Sequence, residues 1–233
     1  DGLDNNCDGD VDEACPVEHC GYISADETWS ASEPHVITCT VYVSDSTGPL
    51  LTIEDGAEVT FGAGAVLYVG YPGYGDIEVQ GTSSGVLFTS AQSSPAPGDY
   101  YGLYLYSYTS GATDIEGLTI EYAGQGAGAL YMYLADPEVR DSTIRYSGAA
   151  GFYSYYGEPT FTGTEFSDND GSGIECYTST CLDETADSFA DNTITGNGGF
   201  AASLYANHVG ALAASSSFAG NDNEGITVRG GTV

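Results

Sequence analysis

The stretch LTIEYAGQGAGALYMYLADPEVRDSTI, residues 118–144, begins and ends on almost the same three residues, and that return decides the fold. Leu118-Thr119-Ile120 comes back as Ser142-Thr143-Ile144, Thr164-Glu165-Phe166, Asn192-Thr193-Ile194 and Ser216-Ser217-Phe218. The anchors Ile120, Ile144, Phe166, Ile194 and Phe218 are 24, 22, 28 and 24 residues apart. Three residues after each later anchor stands a small polar residue: Ser147, Asn169, Asn197, Asn221. A glycine and an apolar residue then open another strand, at Gly151-Phe152, Gly173-Ile174, Gly199-Phe200 and Gly225-Ile226. Strand, turn, strand and return within such a period is one coil of a β-solenoid.

A single coil holds too little core to stand alone. Coils stacked about 4.8 Å apart bury a continuous column of like residues. The anchors are predicted to form one interior column, and Asn169, Asn197 and Asn221 a ladder at one corner. Earlier runs also read as strands: VYV at 41–43, LLTI at 50–53, EVTF at 58–61, VLYV at 66–69, IEV at 77–79 and VLFTS at 86–90. Residues 36–233 are therefore expected to make an all-β parallel helix of about eight coils, at about 24 residues each. Residues 91–100 carry two prolines and are predicted to loop out, as are residues 178–188, which account for the 28-residue step. Residues 1–20 read as a disulfide-flanked acidic loop and 21–35 as a cap or linker.

The runs LTIEDGAEVTFGAGAVLYV, VLFTSAQSSPAPGDYYGLYL and LTIEYAGQGAGALYM resemble the secreted right-handed parallel β-helix repeat proteins of bacteria, over residues 28–233. The resemblance implies a fold. It implies no single function, since that fold hosts lyases, hydrolases, adhesins and structural chains.

Thirty-four acidic residues against three arginines give a net charge of −31, which excludes nucleic acid and anionic membrane as electrostatic partners. Only 16% of residues are charged and 41% are hydrophobic, so a core is available and acidic disorder is excluded. No apolar run is long enough to span a membrane. The chain opens on Asp1, without Met or a signal peptide, and reads as a mature or trimmed part of a longer protein. Six cysteines, Cys7, Cys15, Cys20, Cys39, Cys176 and Cys181, are disulfide candidates, which predicts an exported, extracellular protein. The three histidines fall singly, and no paired-Cys, paired-His metal motif is present.

The N-terminal DGLDNNCDGDVDEAC carries the sharpest chemical signal. Asp4, Asn6 and Asp8 alternate, Gly9 follows, and Asp12 stands eight positions after Asp4. In such a frame alternate side chains converge on one hard cation and the glycine permits the sharp turn. Asp10 would offer its carbonyl, and Asp1 and Glu13 are further candidate ligands. Cys15 occupies the place of the bidentate Glu of an EF-hand, so the loop is not one. It resembles the DGxDNxCDGxxDE motif of secreted myxobacterial proteins and thrombospondin type 3 loops. Oxygen-only, acid-rich ligands point to calcium as cofactor.

In the strands opening at Gly102, Ala129, Gly151 and Gly173, alternation turns Leu103, Leu130, Phe152 and Ile174 inward. Tyr104, Tyr131, Tyr153 and Glu175 then form one outward row, and Tyr106, Tyr133, Tyr155 and Tyr177 a second. Cross-strand stiffening, a subunit contact and a sugar-stacking platform are all open readings of this strip. Catalysis finds little support. Arg140 and Arg145 have no ligand cluster beside them, Asp168 and Asp170 read as turn formers, and His35 and His208 read as surface or corner residues.

The leading expectation is a calcium-stabilised extracellular structural or adhesive protein, such as a filament or surface-layer subunit, and not an enzyme. A carbohydrate-binding module using the tyrosine strip, with a glycan partner, is the alternative. A polysaccharide-cleaving enzyme comes third. The last strand, with Ile226 and Val228 expected inside, predicts head-to-tail self-assembly or continuation into a larger parent chain.

Overall fold

Ile120 lies beside Ile144, Ile144 beside Phe166, and Phe166 beside Ile194, each pair in parallel register and each side chain buried. Phe88 extends the column on one side, and the partly buried Phe218 packs against the core on the other. In this computed structural model, which describes residues 16–185 and 188–230, the chain winds as a parallel β-solenoid of about nine turns.

Each central turn carries three strands, as in Glu138–Arg140, Thr143–Arg145 and Ala150–Tyr155. Stacking the first strand of seven successive turns makes a seven-stranded sheet from Glu27–Trp29 to Phe189–Ala190. The other two stacks are joined through the long strand His35–Val43, whose first half pairs with Glu58–Phe61 and second half with Val66–Val69. The strands expected at 41–43, 50–53, 58–61, 66–69, 77–79 and 86–90 are present. Residues 91–100 leave the sheets, and 178–185 hold no strand.

The corners bend through left-handed residues. Tyr122, Tyr146, Asp168, Gly196 and Gly220, each two residues after an anchor, all have φ between 54° and 83°. Gly117, Asp141, Gly163 and Asp191, three residues before, repeat the device at φ 47° to 64°. Gly117 is obligatory, because a Cβ there would meet the Gly81 carbonyl at 1.8 Å.

The asparagine ladder also forms. Asn169 Nδ2 donates to Asn197 Oδ1 at 2.8 Å and Asn197 Nδ2 to Asn221 Oδ1 at 2.7 Å, while the Ser147 amide donates to Asn169 Oδ1. These side chains satisfy backbone groups that the bend takes out of the sheet. A second ladder lies just before the anchors. The Leu118 amide donates to Ser142 Oγ, the Thr164 amide to Asn192 Oδ1, and the Asn192 amide to Ser216 Oγ.

Two expectations are corrected. The sheet begins well before residue 36: Val17–Ile23 pairs with His35–Val43, and Glu27–Trp29 starts the seven-stranded sheet. Residues 17–35 are thus a turn of the solenoid, which is why the turns outnumber the eight expected. At the other end Asn223–Val228 is a strand, and Val228 stands in register with Leu204, yet it is 51% exposed. Its column is right, but no described residue covers it.

Candidate functional site

Parallel register turns one outward tyrosine per coil into a column. Tyr22 pairs with Tyr42, Tyr42 with Tyr68, Tyr68 with Tyr104, Tyr104 with Tyr131, and Tyr131 with Tyr153. Glu175 comes next, as the sequence pattern has it. Beside this column runs the second, Tyr106, Tyr133 and Tyr155, with Tyr177 stacked on Tyr155 at 5.0 Å and Tyr71 against Tyr106 at 4.9 Å.

Tyr22, Tyr42, Tyr68 and Tyr71 are additions to the strip read from sequence. The signal was present in VYV and VLYV, where each tyrosine alternates with buried valine or leucine. One expected member differs in exposure. Tyr104 is only 7% exposed, because Tyr68, Tyr101 and Tyr131 crowd it on three sides. The other strip residues are half-buried, except Tyr71 at 43% exposed and the open ends, Tyr22 at 63% and Tyr177 at 51%.

Ring orientation decides what this surface offers. Tyr22–Tyr42, Tyr42–Tyr68, Tyr104–Tyr131, Tyr131–Tyr153 and Tyr133–Tyr155 all stack with interplanar angles of 8° to 23°. In these pairs the faces are spent on one another, whereas Tyr68 meets Tyr104 and Tyr106 edge-on, at 87° and 66°. Burial, reinforced by neighbouring phenols, raises the hydroxyl pKa of Tyr68, Tyr104, Tyr106 and Tyr131, and takes Tyr153 to about 12. All stay neutral at physiological pH. The one charge within the columns, Glu175, is paired with Arg229, which also donates to Ser203.

The residues weighed for catalysis are engaged elsewhere. Arg140 bridges Asp114 at 2.8 Å, Glu116 at 3.0 Å and Glu138 at 3.2 Å, while Arg145 pairs with Glu121 at 2.8 Å. Those carboxylate hydrogen bonds raise both guanidinium pKa values further. Asp168 sits at a left-handed corner, and the Asp170 amide bonds to the Ser147 carbonyl, so both shape turns.

The histidines need a further correction: His35 and His208 are both buried. His35 is held by the Ser30 carbonyl at Nε2 and by His19 Nε2 at 3.0 Å on Nδ1. The fold thus pairs two histidines that are 16 residues apart. Trp29 stacks on His19 at 4.1 Å, and burial lowers the His19 pKa. His208 Nε2 contacts the Ser179 carbonyl, tying the loop after Cys176 to the short helix Ala206–Ala211.

Cys20 is bonded to Cys39 and Cys176 to Cys181. The first bridge lies at the register shift between His19 and Gly21, and the second closes the base of the 178–188 loop. These disulfides fit an oxidising, extracellular setting. Cys7 and Cys15 lie outside the described residues, as does the whole calcium frame with Asp1, Asp4, Asn6, Asp8, Asp10, Asp12 and Glu13. Among the described residues no three metal-ligating side chains converge, and no helix is long and apolar enough to cross a membrane.

No curated protein and no solved structure matches the chain. A family model described as "Right handed beta helix region" matches residues 77–233, about two thirds of the sequence. The match begins on the strand Asp76–Gln80 and covers the turns in which anchors, corner ladders and tyrosine columns repeat. By that match and by its parallel, column-stacked turns, the chain belongs to the right-handed β-helix family.

Proposed function

We propose that this β-helix is an extracellular structural or adhesive protein, without catalytic activity, whose tyrosine face packs laterally against a second copy. The observation that carries this reading is a long surface without net charge on a chain of net charge −31. Elsewhere two copies repel each other. At the tyrosine face they meet aromatic edges and hydroxyls, the chemistry favoured at protein interfaces. The stacked rings speak against the sugar-platform alternative for the same strip, since a sugar needs an open aromatic face.

Calcium belongs to the proposal through the acidic frame at Asp4, Asn6, Asp8 and Asp12. Bound there it would neutralise clustered carboxylates and lower the repulsion between copies. Head-to-tail assembly into a filament or surface layer is the arrangement proposed from the repeat itself, because such contacts do not close.

Sedimentation velocity with and without calcium, at low and raised salt, tests the reading. Wild type should associate as charge is screened, and Tyr155→Glu/Tyr177→Glu should stay monomeric while folding normally. A wild type monomeric under every condition, or a variant that associates equally well, overturns it. Isothermal titration of the chelator-stripped protein should show calcium uptake that Asp8→Ala loses. Turnover in a glycosidase or uronate-lyase screen would remove the non-enzymatic reading.

A further inference from the structure

Three loops on successive turns meet at the corner between the tyrosine-bearing strands and the seven-stranded sheet: residues 44–49, 70–75 and 107–113. They are laced together by backbone and side chain. The Asp45 amide donates to the Tyr74 carbonyl at 2.9 Å, the Gly73 amide to Ser44 Oγ at 2.8 Å, and the Gly75 amide to the Tyr108 carbonyl at 3.3 Å. Beneath them the buried Asp76 carboxylate takes the Ser110 amide and Thr113 Oγ1 on Oδ1, both at 2.6 Å, and Ser110 Oγ on Oδ2 at 2.8 Å. The longest of the three loops is therefore held in one shape.

These loops flank an open cleft of about 480 Å³, lined by Ser46, Thr47, Tyr74, Ser107, Tyr108 and Thr109. An adjoining cleft of about 280 Å³ shares Ser107 and Thr109 and carries the groove to Leu134 and Asp136 on the next turn. Four turns at about 4.8 Å spacing make a groove on the order of 14 Å long.

Tyr74 and Tyr108 differ from the stacked ladder pairs in ring orientation and from the edge-on Tyr68–Tyr104 pair in exposure. Their rings meet edge-on, 5.2 Å apart at 70°, and they are 56% and 45% exposed. An edge-on pair covers at most one ring face, where a stacked ladder pair covers one face of each ring. Open aromatic faces flanked by hydroxyls match the two sides of a sugar, an apolar C–H face and a rim of donors and acceptors.

We infer that this groove binds a neutral oligosaccharide, with Tyr74 and Tyr108 as stacking platforms. Charge selects the class. Asp76 and Asp136 line the groove, and all three arginines are paired with carboxylates elsewhere, so an anionic glycan finds no counter-charge. The inference stands apart from the tyrosine-face contact, whose residues it does not use.

Calorimetric titration with β-1,4-glucan, β-1,4-mannan, β-1,4-galactan and β-1,3-glucan hexasaccharides tests it, with a polygalacturonate hexasaccharide as the anionic probe. At least one neutral probe should bind and the anionic one should not. Tyr74→Ala and Tyr108→Ala should each weaken binding about tenfold, whereas Tyr74→Phe, which keeps the ring, should stay within about threefold. Tyr155→Ala, on the separate tyrosine face, should leave glycan binding unaffected. The inference is overturned if no neutral probe binds at millimolar concentration, if both alanine variants bind like wild type, or if binding is lost in Tyr155→Ala instead. Thermal melts of the variants, expected to match wild type, separate lost binding from lost folding.

Discussion

Asn197 is buried at a corner and joins three turns of chain. Its Nδ2 reaches the Phe166 and Thr195 carbonyls and Asn221 Oδ1, while its Oδ1 receives the Asn169 amide and side chain. Asn197→Ala would leave the Asn169 amide unpaired in a water-poor corner and take away the side-chain bonds to Asn169 and Asn221. The expected loss is about 2–4 kcal/mol, read by denaturant unfolding, and a loss below about 0.5 kcal/mol would show that the ladder is not a stabilising device. His19 makes a second residue-level case. Burial, with His35 adding, lowers its pKa below 6.5, against the weaker pull of Glu27 and Glu33. The folded state therefore prefers the neutral ring, so this stability is full above the unfolded pKa of 6.5 and drains away as pH falls below it. Melting temperature should fall more steeply between about pH 7 and about pH 5.5 in wild type than in His19→Gln. Equal slopes would remove His19 from the account.

The tyrosine columns behave as an element, because each ring's surroundings are other rings. Burial raises the phenol pKa values, Tyr153 reaching about 12, so folding favours the protonated form over an unfolded value of 10.0. The sign is the reverse of the histidine case: this stability is present below 10.0 and lost as pH rises above it. An ultraviolet titration should show two phases. The column phenols should ionise in the later one, above the ordinary tyrosine range, together with loss of β-sheet circular dichroism. A single phase near the ordinary tyrosine value would mean that the stack does not shield its hydroxyls. The alternation producing this element was readable strand by strand. Its unbroken run from Tyr22 to Tyr153 was not, since the strand lengths and loop excursions before residue 102 hide the register from a simple period count.

For the whole molecule the governing quantity is charge. Parallel stacking sets like residues above like, which suits Ile and Tyr and penalises Asp and Glu. The three arginines soften this where it is worst: Arg140 among Asp114, Glu116 and Glu138, Arg145 at Glu121, and Arg229 at Glu175. The remaining net charge of −31 is relieved by screening. Raising sodium chloride from about 10 mM to about 150 mM should raise the melting temperature by several degrees, since ~1 kcal/mol moves a chain of this size by roughly 2–4 °C. A flat or falling response would show that the carboxylates are already spaced beyond mutual reach.

The solenoid, its anchor column, the Asn169–Asn197–Asn221 corner and the inward–outward assignment of the tyrosine strands follow from sequence alone. Each rests on a local period, and a period is a property of the chain before it folds. The first turn at residues 17–35 stayed hidden because its strands lack the anchor-and-asparagine signature and are recognised only by the partner they lie against. The His19–His35 pair, the arginine networks and the covered position of Tyr104 depend on which turns become neighbours and how rings tilt between them. The groove at Tyr74 and Tyr108 is the clearest case. Its walls come from three loops of different composition, with no sequence repeat among them, and only the stacking of coils brings those loops to one corner.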